Sequence, residues 1–122
     1  MSKRSSPLPR GCRRLDRLLD PPFFRALGDP NRLRLLTRLA GCCEPRTVTE
    51  LSACCPVNIS VVSRHLAILR EAGIVDSERS GKEVRYRIRF DVLSRTFRQI
   101  ADAIDDCCPS LPNEAAKRAA DC

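Results

Sequence analysis

The chain has 122 residues, 43% of them hydrophobic, enough for one domain with a modest core. Lys and Arg number 22 against 15 acids, a net charge of +7 that suits a polyanionic partner but does not specify a fold. No run approaches the roughly 18 apolar residues of a membrane span. The basic N-terminus MSKRSSPLPRGCRRL also lacks the apolar stretch of a signal peptide, so a cytoplasmic protein with no membrane partner is expected.

Residues 1–11 combine basic residues with Pro and Ser, and a disordered arm is expected there, followed by one domain over 12–108 and a tail over 109–122. Cys12 to Leu19 suits a short helix with Leu15, Leu18 and Leu19 on one side, ended by Pro21-Pro22. PFFRALGD reads as a second helical segment closing at Gly28. Asp29 as N-cap and Pro30 at the first helical position open the next helix. Its Leu33, Leu35, Leu36, Leu39 and Ala40 are expected in the core, with Arg32, Arg34 and Arg38 outside and Gly41 as the stop.

Thr47 with Glu50 three residues later forms a capping box for a short helix from Val48 to about Cys54, ended by Pro56. Asn58 caps the helix that follows, which turns Ile59, Val62, Leu66 and Leu69 inward and leaves Ser60, Val61, Ser63, Arg64 and His65 outward. Ile74–Glu78 and Glu83–Arg89 alternate as paired strands around Ser80-Gly81-Lys82. A last helix runs from about Asp91, with Leu93, Phe97, Ile100 and Ile104 on its apolar face, to Cys107-Cys108-Pro109. The order predicts a mainly α fold with a small β-hairpin wing, a winged helix-turn-helix.

That arrangement suits double-stranded DNA. Ser60 and Ser63 can reach phosphate or base edges, and Arg64 can grip a guanine with two hydrogen bonds. The helix N–H groups beside Asn58 favour a phosphate, and Val61 and His65 complete the outward face. Arg79, Lys82, Arg85 and Arg87 offer the hairpin to the backbone or minor groove. The competing explanation for these arginines is a solvated charged face. A Ser/Arg-exposing helix followed at once by a basic hairpin favours DNA. An enzyme is not expected, since the lone His65 has no evident nucleophile partner and no Cys-x-x-Cys follows a strand.

Of the 8 cysteines, six stand as neighbours: Cys42-Cys43, Cys54-Cys55 and Cys107-Cys108. A bridge between adjacent residues is strained, so free dithiols are expected rather than a disulfide framework. Thiolates select soft ions, As(III), Sb(III), Hg(II), Cd(II) and Cu(I), and no organic cofactor is implied.

ALGDPNRLRLL, TELS, VSRHLAILREAGIV and GKEVRYRI, in that order over residues 23–106, closely resemble the ArsR/SmtB family of metal-responsive bacterial repressors. The resemblance implies an all-α core with a β-wing, a homodimer built through the first and last helices, and repression of a neighbouring operon until an effector binds. It also locates the sensing sites. Where arsenic and cadmium sensors carry Cys-x-Cys, this chain has Thr47 and Thr49, with Ser52 replacing a further cysteine. On the last helix, Asp102, Asp105 and Asp106 lack the imidazoles that zinc, nickel and cobalt sensing needs.

Cys107-Cys108 ranks first, matching a Cys-Cys of some arsenic sensors, with Cys122 or a partner cysteine as third ligand. Cys42-Cys43 ranks second, joined by Cys12 from the opposite subunit, and Cys54-Cys55 third. The expected function is an operator-binding repressor released by As(III) or Sb(III), with Hg(II) or Cd(II) close behind. Two rivals stand beside it. One is a repressor of the same fold switched by thiol oxidation near Arg46 or Arg13, and the other is a metal-buffering protein whose charge is incidental.

Overall fold

Side-chain caps set where three of the helices begin in the computed structural model, which describes residues 10–42, 44–53 and 57–107. The elements are α1 (Arg10–Leu18), α2 (Pro21–Leu27), α3 (Pro30–Gly41), β1 (Arg46–Thr47), α4 (Val48–Ser52), α5 (Ile59–Glu71), β2 (Val75–Ser80), β3 (Glu83–Ile88) and α6 (Phe90–Cys107). The Asp29 carboxylate accepts from the backbone N–H of Asn31 at 2.8 Å and of Arg32 at 3.2 Å, with Pro30 opening α3. At α4 the capping box is complete: Thr47 Oγ1 accepts from the Glu50 N–H at 3.2 Å, and Glu50 Oε1 accepts from the Thr47 N–H at 2.9 Å. Asn58 Oδ1 accepts from the Val61 N–H at 3.1 Å and starts α5.

The described residues fall into two compact units, 21–94 and 10–20 with 95–107. In the larger unit Phe23, Ala26, Leu35, Leu36, Leu39, Leu51, Val62, Leu66, Leu69, Ile74, Val75, Tyr86 and Ile88 form one core. α2, α3, α4 and α5 meet there over a three-stranded antiparallel sheet of order β1-β3-β2. The hairpin register runs from Val75 opposite Ile88 to Ser80 opposite Glu83, leaving Gly81-Lys82 as the loop, with Gly81 at φ +65. Gly73, at φ +80, ends α5, and the Ile74 N–H returns to the Leu69 carbonyl at 3.0 Å, so the chain turns directly from α5 into the hairpin. In the smaller unit Ile100 and Ala103 of α6 are buried, and Arg14 of α1 pairs with Asp106 of α6 at 3.5 Å.

Several expectations are corrected. Leu33 and Ala40 are exposed, because α3 buries only Leu35, Leu36 and Leu39. At 100° per residue the two outliers lie roughly 100–120° around the helix from Leu39, beyond one packing face. Ile59 shares the face of Val62 and Leu66 yet is exposed, since it sits in the first turn ahead of the packed stretch. On α6, Phe97 and Ile104 are 47% and 53% exposed, so the apolar face there is buried at Ile100 but not along its whole length. α4 ends at Ser52 rather than Cys54, and Cys54, Cys55 and Pro56 lie outside the described residues, as do Cys43, Cys108 and the 109–122 tail. β1 was not anticipated. It pairs Arg46 with Tyr86 and Thr47 with Arg85, and so anchors the capping box of α4 to the hairpin.

Truncation of Leu66 to Ala removes a fully buried side chain from the contact of α5 with its neighbours. Urea unfolding of Leu66→Ala is expected to show a loss of about 2–5 kcal/mol. Ile59→Ala is expected to lose about 1 kcal/mol or less. Equal losses would contradict the burial described.

Candidate nucleic-acid interface

Burial of Val62, Leu66 and Leu69 on one side of α5 turns Ser60, Ser63 and Arg64 to the surface, and all three are exposed. Val61 is half-buried. Ser60 donates its hydroxyl hydrogen to Asn58 Oδ1 at 2.7 Å, so its lone pairs remain for an incoming donor. Arg70 Nη1 donates to Ser77 Oγ at 3.2 Å and ties the end of α5 to β2.

His65 differs from the outward residue expected. It is half-buried, and its Nδ1 lies 3.1 Å from Arg32 Nη1 of α3. Arg32, expected outside, is half-buried too: its Nε donates to the Ala26 carbonyl at 2.7 Å and its Nη2 to the Arg25 carbonyl at 3.0 Å. These acceptors are carbonyls of the last turn of α2, where the Arg25 carbonyl also accepts from the Gly28 N–H at 3.1 Å. The role of Arg32 was missed because its acceptors lie on other helices, two on the preceding α2 and one on α5, and the only local signal was its place three residues after the Asp29 cap. The Asp29 carboxyl is held below the usual carboxylate range, first by the Arg32 backbone N–H, then by the Asn31 N–H and the nearby charges of Arg32 and His65.

The hairpin's basic residues divide into two kinds. Arg79 and Lys82 are exposed at its turn end. Arg85 pairs with Glu83 at 2.8 Å and reaches Glu50 at 3.8 Å. Glu50 is held below the usual range, first by the Thr47 backbone N–H and then by the charges of Arg85 and Arg46. Arg87 pairs with Asp76 at 3.5 Å and with Glu78 at 3.8 Å. The free basic charge of the wing therefore concentrates at its tip, while Arg85 and Arg87 brace it.

The described cysteines divide between the two units. Cys12 and Cys107 belong to the smaller unit and Cys42 to the larger, and all three are half-buried. The Arg14–Asp106 pair joins the stretch of α1 that carries Cys12 to the end of α6 that carries Cys107. Cys42 follows α3 and touches Arg46, whose guanidinium is raised first by that contact and further by the charges of Glu50 and Glu44. Arg46 Nε is buried with no hydrogen-bond partner. Among the described residues no three His, Cys, Asp or Glu side chains stand together as a metal site. No helix among them is long and apolar enough to cross a membrane.

A short helix, a turn, a second helix with its polar face outward and a basic-tipped hairpin define a winged helix-turn-helix regulator. The family model "Bacterial regulatory protein, arsR family" matches residues 29–77, from the cap of α3 into β2. A "Transcriptional repressor SmtB homolog" of Synechocystis sp. is 37% identical over 84 residues, 69% of this chain and only 62% of that protein's length. A "Probable mercury resistance operon repressor" of Streptomyces lividans is 34% identical over 102 residues, covering 79% of this chain and 80% of that one. The solved homodimeric winged helix-turn-helix DNA-binding domain of a possible ArsR-family regulator from Mycobacterium bovis aligns at TM-score 0.58 and 25% identity, over 84% of this chain and 92% of that one. The chain belongs to the ArsR/SmtB family, whose members are transcription regulators rather than enzymes.

Because the folded state lowers the Asp29 pKa, its contribution to stability is present above the unfolded value of about 3.9 and is lost as pH falls through the folded one. Asp29→Asn keeps a capping oxygen but does not titrate. On acidification from pH of about 6 to about 3, the wild-type Tm is therefore expected to fall further than that of Asp29→Asn. Parallel falls would contradict the assignment.

Proposed function

We propose that this chain is a homodimeric repressor that binds double-stranded operator DNA and leaves it when a thiophilic ion binds its cysteine thiolates. As(III) or Sb(III) comes first as effector, and Hg(II) or Cd(II) second. The carrying observation is the pairing of one outward polar helix face, with Ser63 and Arg64, with the exposed basic tip of the adjoining hairpin, Arg79 and Lys82. That pairing supports major-groove reading by the helix and backbone contact by the tip. Exposed Leu19, just past the end of α1, and exposed Phe97 and Ile104 of α6 support a dimer through the first and last helices, and the Mycobacterium bovis relative is itself homodimeric.

The effector reading rests on sulfur. As(III) takes three thiolates, and the Arg14–Asp106 pair supports drawing them from Cys107, its sequence neighbour Cys108, and Cys12 in place of Cys122. The name of the Streptomyces lividans relative carries mercury, another thiophilic ion. Cys42-Cys43 stands second and Cys54-Cys55 third. An ion that binds the DNA-incompetent form more tightly by about 1–3 kcal/mol changes operator affinity roughly 5–150-fold. The contact of Cys42 with Arg46 favours one second reading, oxidation of that thiol as the switch.

Fluorescence anisotropy of the reduced protein on its upstream DNA, with As(III), Sb(III), Hg(II), Cd(II) or peroxide added, separates these readings. Release by As(III) in wild type but not in Cys107→Ser/Cys108→Ser or Cys12→Ser is expected. Release in Cys107→Ser/Cys108→Ser but not in Cys12→Ser would move the site to Cys42-Cys43 with Cys12, and release in all variants would move it to Cys54-Cys55. Release only by peroxide, abolished in Cys42→Ser, would sink the metal switch and leave the redox one. For the DNA face, Arg64→Ala is expected to cost about 1–3 kcal/mol of operator affinity. Lys82→Ala is expected to weaken binding to every duplex and reduce the salt slope by about 1.

A further inference from the structure

We propose that Arg32 is a positioning residue of the DNA-reading helix: it holds His65 in the Nε2–H tautomer and so presents a fixed N–H donor from α5 to an acceptor atom of the operator. The proposal rests on the DNA-binding reading of α5.

A guanidinium has five N–H donors in a planar fork and no acceptor. Two of its nitrogens are fixed on α2, Nε at 2.7 Å from the Ala26 carbonyl and Nη2 at 3.0 Å from the Arg25 carbonyl. The third, Nη1, stands 3.1 Å from His65 Nδ1. Since Arg32 can only donate, Nδ1 must accept, and in a neutral ring the proton then sits on Nε2. α3 therefore uses one side chain to fasten the end of α2 and to set the hydrogen-bonding sense of a ring on α5. Lysine, a point charge without the planar fork, does not reproduce the three-way geometry.

His65 is half-buried beside the exposed Ser63 and Arg64, with its Nδ1 edge turned to α3. Its Nε2–H, on the opposite edge, is a donor of the kind guanine O6 and N7 or a phosphate oxygen accepts. A ring exchanging tautomers would offer an acceptor there part of the time and repel the same atom.

The chain contains 1 histidine, so imidazole nitrogen NMR of the DNA-free protein reads this residue alone. At a pH of about 8, above the ordinary imidazole range, wild type is expected to give one pyridine-type Nδ1 and one pyrrole-type Nε2 signal. In Arg32→Met the two signals are expected to move towards each other as the tautomers exchange. An Nδ1–H tautomer in wild type, or an unchanged spectrum in the variant, would overturn the proposal. The wild-type spectrum decides even if Arg32→Met does not fold.

In operator binding, Arg32→Met and His65→Ala are each expected to weaken affinity about tenfold, and the double variant no more than either alone. Additive losses would show that Arg32 does not act through His65. A loss confined to the operator assigns the acceptor to a base edge, and an equal loss on unrelated duplex assigns it to phosphate. Failure of wild type to bind any duplex would sink the repressor reading and this proposal with it. That outcome differs from a failed tautomer assignment in protein that still binds.

Discussion

Burial of Val62, Leu66 and Leu69, all fully enclosed, is the constraint on which the rest depends. Each such side chain contributes about 1.5–3 kcal/mol relative to exposure, so the stripe strongly resists rotation of α5 about its axis. A turn by one residue would carry Ser63, Ala67 and Arg70 into the core in their place. The same burial that stabilises the larger unit therefore decides that Ser63 and Arg64 face solvent. Gly73 and Ile74 convert that orientation into the position of the hairpin, because the chain leaves α5 in a left-handed turn and enters β2 directly.

Around this axis, charged groups position more than they stabilise. Exposed ion pairs such as Arg87 with Asp76 contribute little to stability, but they fix side chains on the hairpin. Arg85, between Glu83 and Glu50, links the hairpin to the capping box of α4, and β1 adds a backbone link in the same place. The wing is thereby joined to the helix-turn-helix at both of its helices, at α4 through Arg85 and at α5 through Arg70 and Ser77. Arg32 does the corresponding work at the other end, between α2 and His65.

Caps were legible in the sequence because each is closed within four residues: Asp29-Pro30, Thr47 with Glu50, and Asn58 all stand where their local chemistry puts them. The hairpin was legible for the same reason, Gly81 supplying the turn. β1 was not, since two residues carry no periodicity and pair only once β3 is in place. Apolar spacing showed which residues share a face but not what covers it, so Leu33, Ile59, Phe97 and Ile104 were expected inside and lie outside. Of the proposed DNA face, the exposure of Ser60, Ser63, Arg64, Arg79 and Lys82 followed from helix period and hairpin register. The ion pairs of Arg85 and Arg87 and the contact between Arg32 and His65 depend on tertiary neighbours that spacing does not reveal.

The most direct measurement is a backbone amide shift map of the protein during titration with its operator duplex. The expected result is perturbation centred on 58–65 and 79–82, the N-terminal half of α5 and the turn end of the hairpin. Perturbation centred instead on α1 and the later part of α6, with α5 unmoved, would contradict the assignment of α5 as the helix that reads DNA.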